Sequence, residues 1–136
     1  MQEETFVRLK IRSTRRSPDE IGSELGLAAD EQWLAGSCIP NTKIVVTANC
    51  WILDSGKPRD ATLDEHLEAL LARLRGHEDR IRAISSSDSV EVSCVLYSIR
   101  EPALNFSPEL LARITELGAG LDIDLYVMKT SEQESD

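Results

Sequence analysis

Apolar and polar residues alternate strictly at both ends of the chain, and this pattern restricts the fold more than any other feature of the sequence. Near the start, one face carries Val7, Leu9 and Ile11, and the other carries Phe6, Arg8, Lys10 and Arg12. Residues 121–127 alternate in the same way. A period of two is typical of a strand that is buried on one face. Since strands of a fully parallel sheet need apolar residues on both faces, we expect a mainly antiparallel sheet with helices on one face.

Two further strands are predicted between these ends. Residues 43–53 and 90–99 are rich in β-branched and aromatic residues, which favour strands. Residues 28–42 lack clear periodicity and contain glycine, proline and asparagine, so we interpret them as a long loop with a helical turn near Trp33.

Three helices are predicted from their capping residues. Ser17, Thr62 and Ser107 each precede a helical pattern, and a proline or a capping-box glutamate follows closely. The helix that begins at Thr62 is the longest, and its leucines recur at helical spacing. We expect Gly76 to weaken or bend this helix before the apolar stripe resumes.

Two similar segments indicate how these elements combine. Residues 17–19 and 107–109 both read Ser-Pro-acid, and each segment ends in Leu-Gly. Two β-α-β units joined by one extra helix predict a ferredoxin-like (split β-α-β) α+β sandwich. We expect a four-stranded, mainly antiparallel sheet with helices on one face and one extra inserted helix, although another strand order remains open. Residues 1–129 are assigned to this single domain, and residues 130–136 to a frayed acidic tail.

The predicted fold brings charged and aromatic side chains to the uncovered side of the sheet. The last strand would lie beside the first, so that Asp122 and Asp124 face the basic residues of the first strand. An open polar face with a few aromatic residues is a plausible binding surface. The predicted binding residues are Arg8, Lys10, Arg12, Trp51, Asp122, Asp124 and Tyr126.

The residue pattern favours structural roles for these acidic and histidine side chains over catalytic or metal-binding ones. Asp122 and Asp124 point the same way on a strand and could share a divalent cation, but no histidine or third acid joins them at a recognisable spacing. We therefore interpret them as solvated residues paired with the basic strand. His66 lies at the edge of the leucine stripe and is interpreted as a boundary residue rather than a base. We predict no catalytic residue, no metal and no cofactor.

Composition excludes several classes of partner and location. A net charge of −9 repels nucleic acid and anionic membranes, so we expect neither as a partner. The three cysteines form no Cys-x-x-Cys pair and make a poor disulfide framework. No apolar run approaches the roughly 20 residues of a membrane span, and the start lacks the features of a secretion signal. We therefore expect a soluble cytoplasmic protein.

Four segments carry a resemblance to a known family: residues 21–27, Trp51-Ile52-Leu53-Asp54-Ser55, the leucine-rich residues 63–74, and residues 117–126. As a set they resemble the bacterial family called domain of unknown function 4279, over residues 6–128. The resemblance implies a small bacterial stand-alone domain and carries no established activity. Our hypothesis is a non-catalytic protein-binding module of immunity or regulatory type. The alternative is a small-molecule-binding or enzymatic domain, with a pocket between the 28–42 loop and the sheet and acid-base chemistry by Asp122, Asp124 or His66.

Overall fold

The computed structural model describes residues 3–128, and within them five strands and four helices form an α+β fold. In chain order these are β1 (Glu4–Ser13), α1 (Pro18–Leu25), β2 (Glu31–Trp33), β3 (Asn49–Asp54), α2 (Leu63–Arg73), α3 (Glu78–Ser85), β4 (Ser89–Ser98), α4 (Pro108–Glu116) and β5 (Gly120–Val127). The predicted acidic tail, residues 130–136, lies outside the described residues.

The five strands form one sheet in the order β2-β3-β1-β4-β5. Three of the neighbouring pairs are antiparallel, and only β4 and β5 run parallel. The prediction of a mainly antiparallel sheet is therefore confirmed. The predicted number of four strands is wrong, because the described part of the chain contributes β2 as well.

The position of the last strand also differs from the prediction. β1 is already paired on both sides, since Leu9 lies opposite Leu53 of β3 and opposite Val92 of β4. β5 therefore pairs with β4 instead of β1. The intervening helix α4 makes this possible, because a helical crossover joins neighbouring parallel strands. The predicted ferredoxin-like arrangement required the last strand to lie beside the first, and in the structure it does not.

Between α1 and α2 the structure contains a hairpin where a loop and one long strand were predicted. Trp33 lies in β2 and not in a helical turn, and β3 begins only at Asn49. Residues 34–48, here called the hairpin arm, extend beyond the sheet because Ser13, the last residue of β1, lies opposite Asn49. The arm is held by backbone hydrogen bonds such as Val46 N–H to Ser37 O (2.8 Å). The β-branched residues 44–47, which predicted a sheet strand, therefore lie in this arm and not in the five-stranded sheet.

The predicted helix caps are confirmed, and the predicted weak point of the long helix is a complete break. Capping boxes start α1 at Ser17 and α2 at Thr62, and the Ser107 side chain caps α4. Between α2 and α3, Gly76 adopts φ 88°, a left-handed conformation that ends a helix at little cost. The ring of His77 then hydrogen-bonds the Leu25 carbonyl (Nδ1 to O, 2.7 Å), which ties the break to the end of α1.

One hydrophobic core lies between the sheet and the four helices. It contains the aliphatic face of β1, which is the face the alternation predicted, together with one side of each helix. Burying each large aliphatic side chain contributes about 1.5–3 kcal/mol. The helices therefore cover one face of the sheet, as predicted. No helix within residues 3–128 has the length and apolar character needed to cross a membrane.

Candidate binding face on the open side of the sheet

The side of the sheet opposite the helices, here called the open face, carries the alternate residues of every strand. The register brings them into rows that cross the sheet. One row contains Asp54, Arg8, Ser93 and Asp122, and the next contains Glu31, Ile52, Lys10 and Glu91. The face is therefore mixed in charge, with its basic residues on the central strand β1.

Arg8 is committed to acidic residues of its own chain. Its Nη1 lies 3.2 Å from Glu31 Oε2, and its Nε lies 4.0 Å from Asp54 Oδ1. Burial raises the pKa of Asp54, while the positive charge of Arg8 acts in the opposite direction. Lys10 and Arg12, by contrast, form no ion pair within 4.0 Å among residues 3–128. Of the three predicted basic residues, these two remain available to a partner.

Asp122 and Asp124 share the open face with the basic residues but do not lie against them. β4 separates the two strands, so the predicted contact is wrong: Ser93 stands between Arg8 and Asp122 in the register. Two strand spacings amount to roughly 10 Å. Neither aspartate forms an ion pair within 4.0 Å in the described part of the chain. Their charges are therefore not neutralised by β1.

Trp51 was predicted on the open face and lies instead on the opposite side, in the core. It pairs with Ile11, and its exposed fraction is 0%. Residues 50–53 are all apolar, so the sequence offers no alternation from which to read which of them point inward. The open face receives Cys50 and Ile52 at these positions, and Trp51 is removed from the set of side chains that a partner can touch.

An aromatic cluster of Phe6, Tyr97 and Tyr126 occupies one end of the open face. The rings of Tyr97 and Tyr126 are stacked, with centroids 5.1 Å apart and an interplanar angle of 16°. Phe6 meets Tyr97 edge to face at 6.2 Å, and the Arg59 guanidinium lies 5.0 Å from the centre of the Phe6 ring. The three aromatic side chains line a shallow depression of about 650 Å³. Tyr126 was a predicted binding residue, and the structure places two further aromatic residues, Phe6 and Tyr97, in the same cluster.

Phe6 and Tyr97 were not among the predicted binding residues, although a signal for them existed. Each falls on the polar side of an alternating strand, where an aromatic residue is unusual for a solvated position. What the sequence could not supply was the pairing of β4 with β5, which brings Tyr97 and Tyr126 directly opposite one another.

A buried hydrogen bond between Ser55 and His66 lies behind this end of the sheet. Ser55 Oγ and His66 Nδ1 are 2.6 Å apart, and the Lys57 backbone N–H donates to the Ser55 hydroxyl at 3.2 Å. Both side chains are buried. Burial lowers the pKa of His66 below its ordinary value, and a contribution from the Pro58 backbone opposes this only in part. The pair ties the loop after β3 to α2, so His66 is a core residue and not the boundary residue predicted.

We expect the free energy of unfolding of the domain to decrease as the pH is lowered and His66 becomes charged. Because the pKa of His66 is lower in the folded chain than the value of about 6.5 expected when unfolded, the unfolded chain binds the proton more readily. Its contribution is therefore complete above about pH 6.5 and is lost as pH falls through the lowered folded pKa. Urea unfolding of the wild type and of His66→Asn between pH 7.5 and 5 measures this directly. His77→Asn is the matched control, and an equal pH slope in wild type and His66→Asn would contradict the assignment.

A second depression, of about 810 Å³, lies between α1 and residues 27–32, with Trp51 at its floor. The Trp51 indole N–H makes no hydrogen bond in the described structure. The sequence placed a pocket between residues 28–42 and the sheet, and this depression involves only residues 28–32 of that segment, with α1 as its other wall. Among residues 3–128, no group of three or more histidine, cysteine or acidic side chains is arranged to hold a metal ion.

Comparison with known proteins identifies a family and nothing more specific. The family model described as Domain of unknown function (DUF4279) matches residues 3–128, which confirms the resemblance stated from the sequence. No curated protein and no solved structure matches the chain.

Proposed function

The chain belongs to this family of unknown function, and we propose that it is a non-catalytic module that binds a protein partner on the open face of its sheet. The aromatic cluster is the anchor of that surface, and Lys10 and Arg12 supply charge farther along β1. An immunity or regulatory role in a bacterial cell fits a small acidic domain of this kind, which would act by occupying the surface of another protein.

The observation that carries the proposal is the exposure of the stacked tyrosines. Tyr97 is 37% exposed and Tyr126 is 51% exposed, although the stacking holds both rings in fixed positions. Aromatic residues that present a rigid apolar face and a polar hydroxyl are enriched in protein interfaces. Because little side-chain entropy remains to be lost, such a pair binds a partner at low conformational cost.

The aromatic cluster supplies the apolar area of this surface, while the charged rows of the open face supply orientation. Leu125 and Val127 neighbour Tyr126 along β5 and are 38% and 48% exposed. They lie opposite Leu96 and Ser98 and therefore point to the other face of the sheet.

The test is capture of a partner by matched variants of the domain. Tagged wild type is incubated with lysate of its own source cell, in parallel with Tyr97→Ser/Tyr126→Ser. We expect one protein to be retained by the wild type and lost from the double variant, since both changes remove the anchor from an exposed position. Lys10→Glu is expected to weaken retention. Arg8→Glu is less informative because it would place like charges beside Glu31 and Asp54.

Leu111→Ser is the control for this experiment. Leu111 is 41% exposed on α4, on the opposite side of the molecule, so its loss removes apolar surface without touching the open face. Circular dichroism and urea unfolding verify that each variant is folded. Capture that survives the tyrosine substitutions, or that depends equally on Leu111, would refute the open face as the binding site.

The depression beside α1 supports the second candidate, a small-molecule-binding or enzymatic domain. Its volume of about 810 Å³ is compatible with a metabolite, and the indole N–H of Trp51, buried behind its lining, has no hydrogen-bond partner in the described structure. Thermal unfolding in the presence of metabolites and divalent metals separates the two functions. A melting shift of several degrees with one compound, abolished by Ala28→Trp at an exposed position of the lining, favours the second candidate over the first.

A further inference from the structure

We infer that the partner binds as an additional β-strand along β5 and that it carries Lys or Arg at alternate positions. This inference rests on the proposed function, because Tyr126 belongs both to the aromatic cluster and to β5. It goes further in naming the conformation and the chemistry of the bound segment.

β5 is a long edge strand whose outer side is unpaired in the described structure. It is the last strand in the sheet order and pairs only with β4. Its eight residues span roughly 26 Å. The opposite edge is formed by β2, which has three residues. An unpaired edge of this length presents a row of backbone N–H and C=O groups that can accept another strand.

Several devices that protect an edge strand are missing from β5, and its two aspartates are the charged side chains that it carries. Its sequence, GLDIDLYV, contains no proline and no lysine, and its register with β4 runs without a bulge. The core covers Leu121 and Ile123 near its start, whereas Leu125, Tyr126 and Val127 near its end are exposed on both faces of the sheet. An added strand would therefore gain apolar contacts at this end as well as backbone hydrogen bonds.

The charges of β5 indicate which side chains the added strand carries. Asp122 and Asp124 lie on the open face at alternate positions and form no ion pair among residues 3–128. Side chains directly opposite one another on paired strands are about 5 Å apart, and opposite charges at that distance attract. Lys or Arg at every second position of the partner would meet both carboxylates.

The same charges disfavour a second copy of this chain as the occupant. Two β5 strands paired about a two-fold axis perpendicular to the sheet would bring Asp122 and Asp124 of both copies to one face. Four carboxylates would then lie side by side between two molecules that each carry a net charge of −9. A basic strand from another protein relieves this repulsion.

Synthetic peptides provide a direct test. The probe is a nine-residue peptide of alternating Val and Lys with blocked ends. The first control alternates Val and Glu, and the second is the Val-Lys peptide with alternate backbone nitrogens methylated. Titration calorimetry gives the affinities, and ¹H–¹⁵N NMR of the labelled domain locates the site. We expect the Val-Lys peptide to bind at least about tenfold tighter than the Val-Glu peptide. Shifts should concentrate in residues 120–127, and N-methylation should abolish binding.

Charge exchange on the domain gives the decisive comparison. Asp122→Lys/Asp124→Lys is expected to reverse the preference, so that the Val-Glu peptide becomes the tighter ligand. Asp60→Lys/Glu101→Lys changes the net charge equally at exposed loop positions and should retain the wild-type preference. Equal reversal in this control would overturn the inference, as would binding that tolerates N-methylation or no binding of the Val-Lys peptide up to about 1 mM. A dimer by light scattering, with residues 120–127 at its interface, would also overturn it.

The two proposals fail in different ways. If partner capture depends on Tyr97 and Tyr126 but no peptide adds to β5, the open face is the binding site and the strand-addition inference is wrong. If peptides add to β5 with the expected charge preference but capture ignores the tyrosines, the edge binds and the proposed face does not.

Discussion

Trp51→Ala is expected to lower the free energy of unfolding by about 3–5 kcal/mol, the range for removing a large aromatic side chain from a core. Trp51 is fully buried among Ile11, Leu53 and the helices, so truncation leaves a cavity that the rigid sheet cannot close. Trp51→Phe should cost much less, because the indole N–H has no hydrogen-bond partner to lose. Urea unfolding followed by circular dichroism measures both differences.

Trp33→Ala is the matched control for this prediction. Trp33 is only half-buried in the edge strand β2, where its Nε1 donates to Glu31 Oε1 at 3.0 Å. We expect its loss to cost about 1 kcal/mol. Fluorescence provides a second readout. Trp33→Phe leaves only the buried Trp51, and its emission maximum should lie at a shorter wavelength than that of Trp51→Phe, which leaves only Trp33. A small cost for Trp51→Ala in a folded protein would return Trp51 to the surface, where the sequence had placed it.

Among alanine substitutions of the glycines that follow helices, Gly118→Ala is expected to lower the free energy of unfolding most. Gly118 adopts φ +68° after α4, a conformation that costs an L-residue about 1–2 kcal/mol. An added Cβ would also lie 2.7 Å from Ser85 Cβ and would overlap the Ser85 hydroxyl. Rotation of the hydroxyl cannot relieve the contact with Cβ, so overpacking adds roughly 1–3 kcal/mol. The total loss in the free energy of unfolding is therefore about 2–5 kcal/mol.

Two further variants separate strain from overlap. Gly56 has φ +81° and nothing within 4 Å of an added Cβ, so Gly56→Ala should show the conformational cost alone. Ser85→Gly removes the overlapping atoms, and combining it with Gly118→Ala should recover most of the overlap cost in a double-mutant cycle. If Gly118→Ala and Gly56→Ala cost the same, or if Ser85→Gly gives no recovery, Gly118 does not lie as close to Ser85 as described.

The open face unites the functional proposals, and its arrangement depends on the strand order. Placing β4 between β1 and β5 keeps Asp122 and Asp124 away from the basic residues, so that they remain charged sites for a partner. The same order brings Tyr97 of β4 beside Tyr126 of β5. In the predicted order, the acidic and basic rows would have neutralised one another, and the tyrosines would not have met.

The sequence predicted correctly the features that depend on neighbouring residues. The alternation in residues 5–13 defined the buried face of β1, because a strand has a period of two wherever it lies. The capping residues Ser17, Thr62 and Ser107 marked helix starts, because a cap hydrogen bond spans only three residues. Gly76 marked the break between α2 and α3 for a similarly local reason.

Only the tertiary structure decided which elements meet. The contiguous apolar residues around Trp51 fit either face of a strand, and pairing with β1 turned Trp51 inward. The hydrogen bond between Ser55 and His66 joins a loop to a helix, and neither residue signals the other in sequence. Strand order set both the aromatic cluster and the exposed edge of β5. Periodicity and capping arise from interactions within a few residues, whereas pairing depends on contacts between distant segments that compete for the same positions in the sheet.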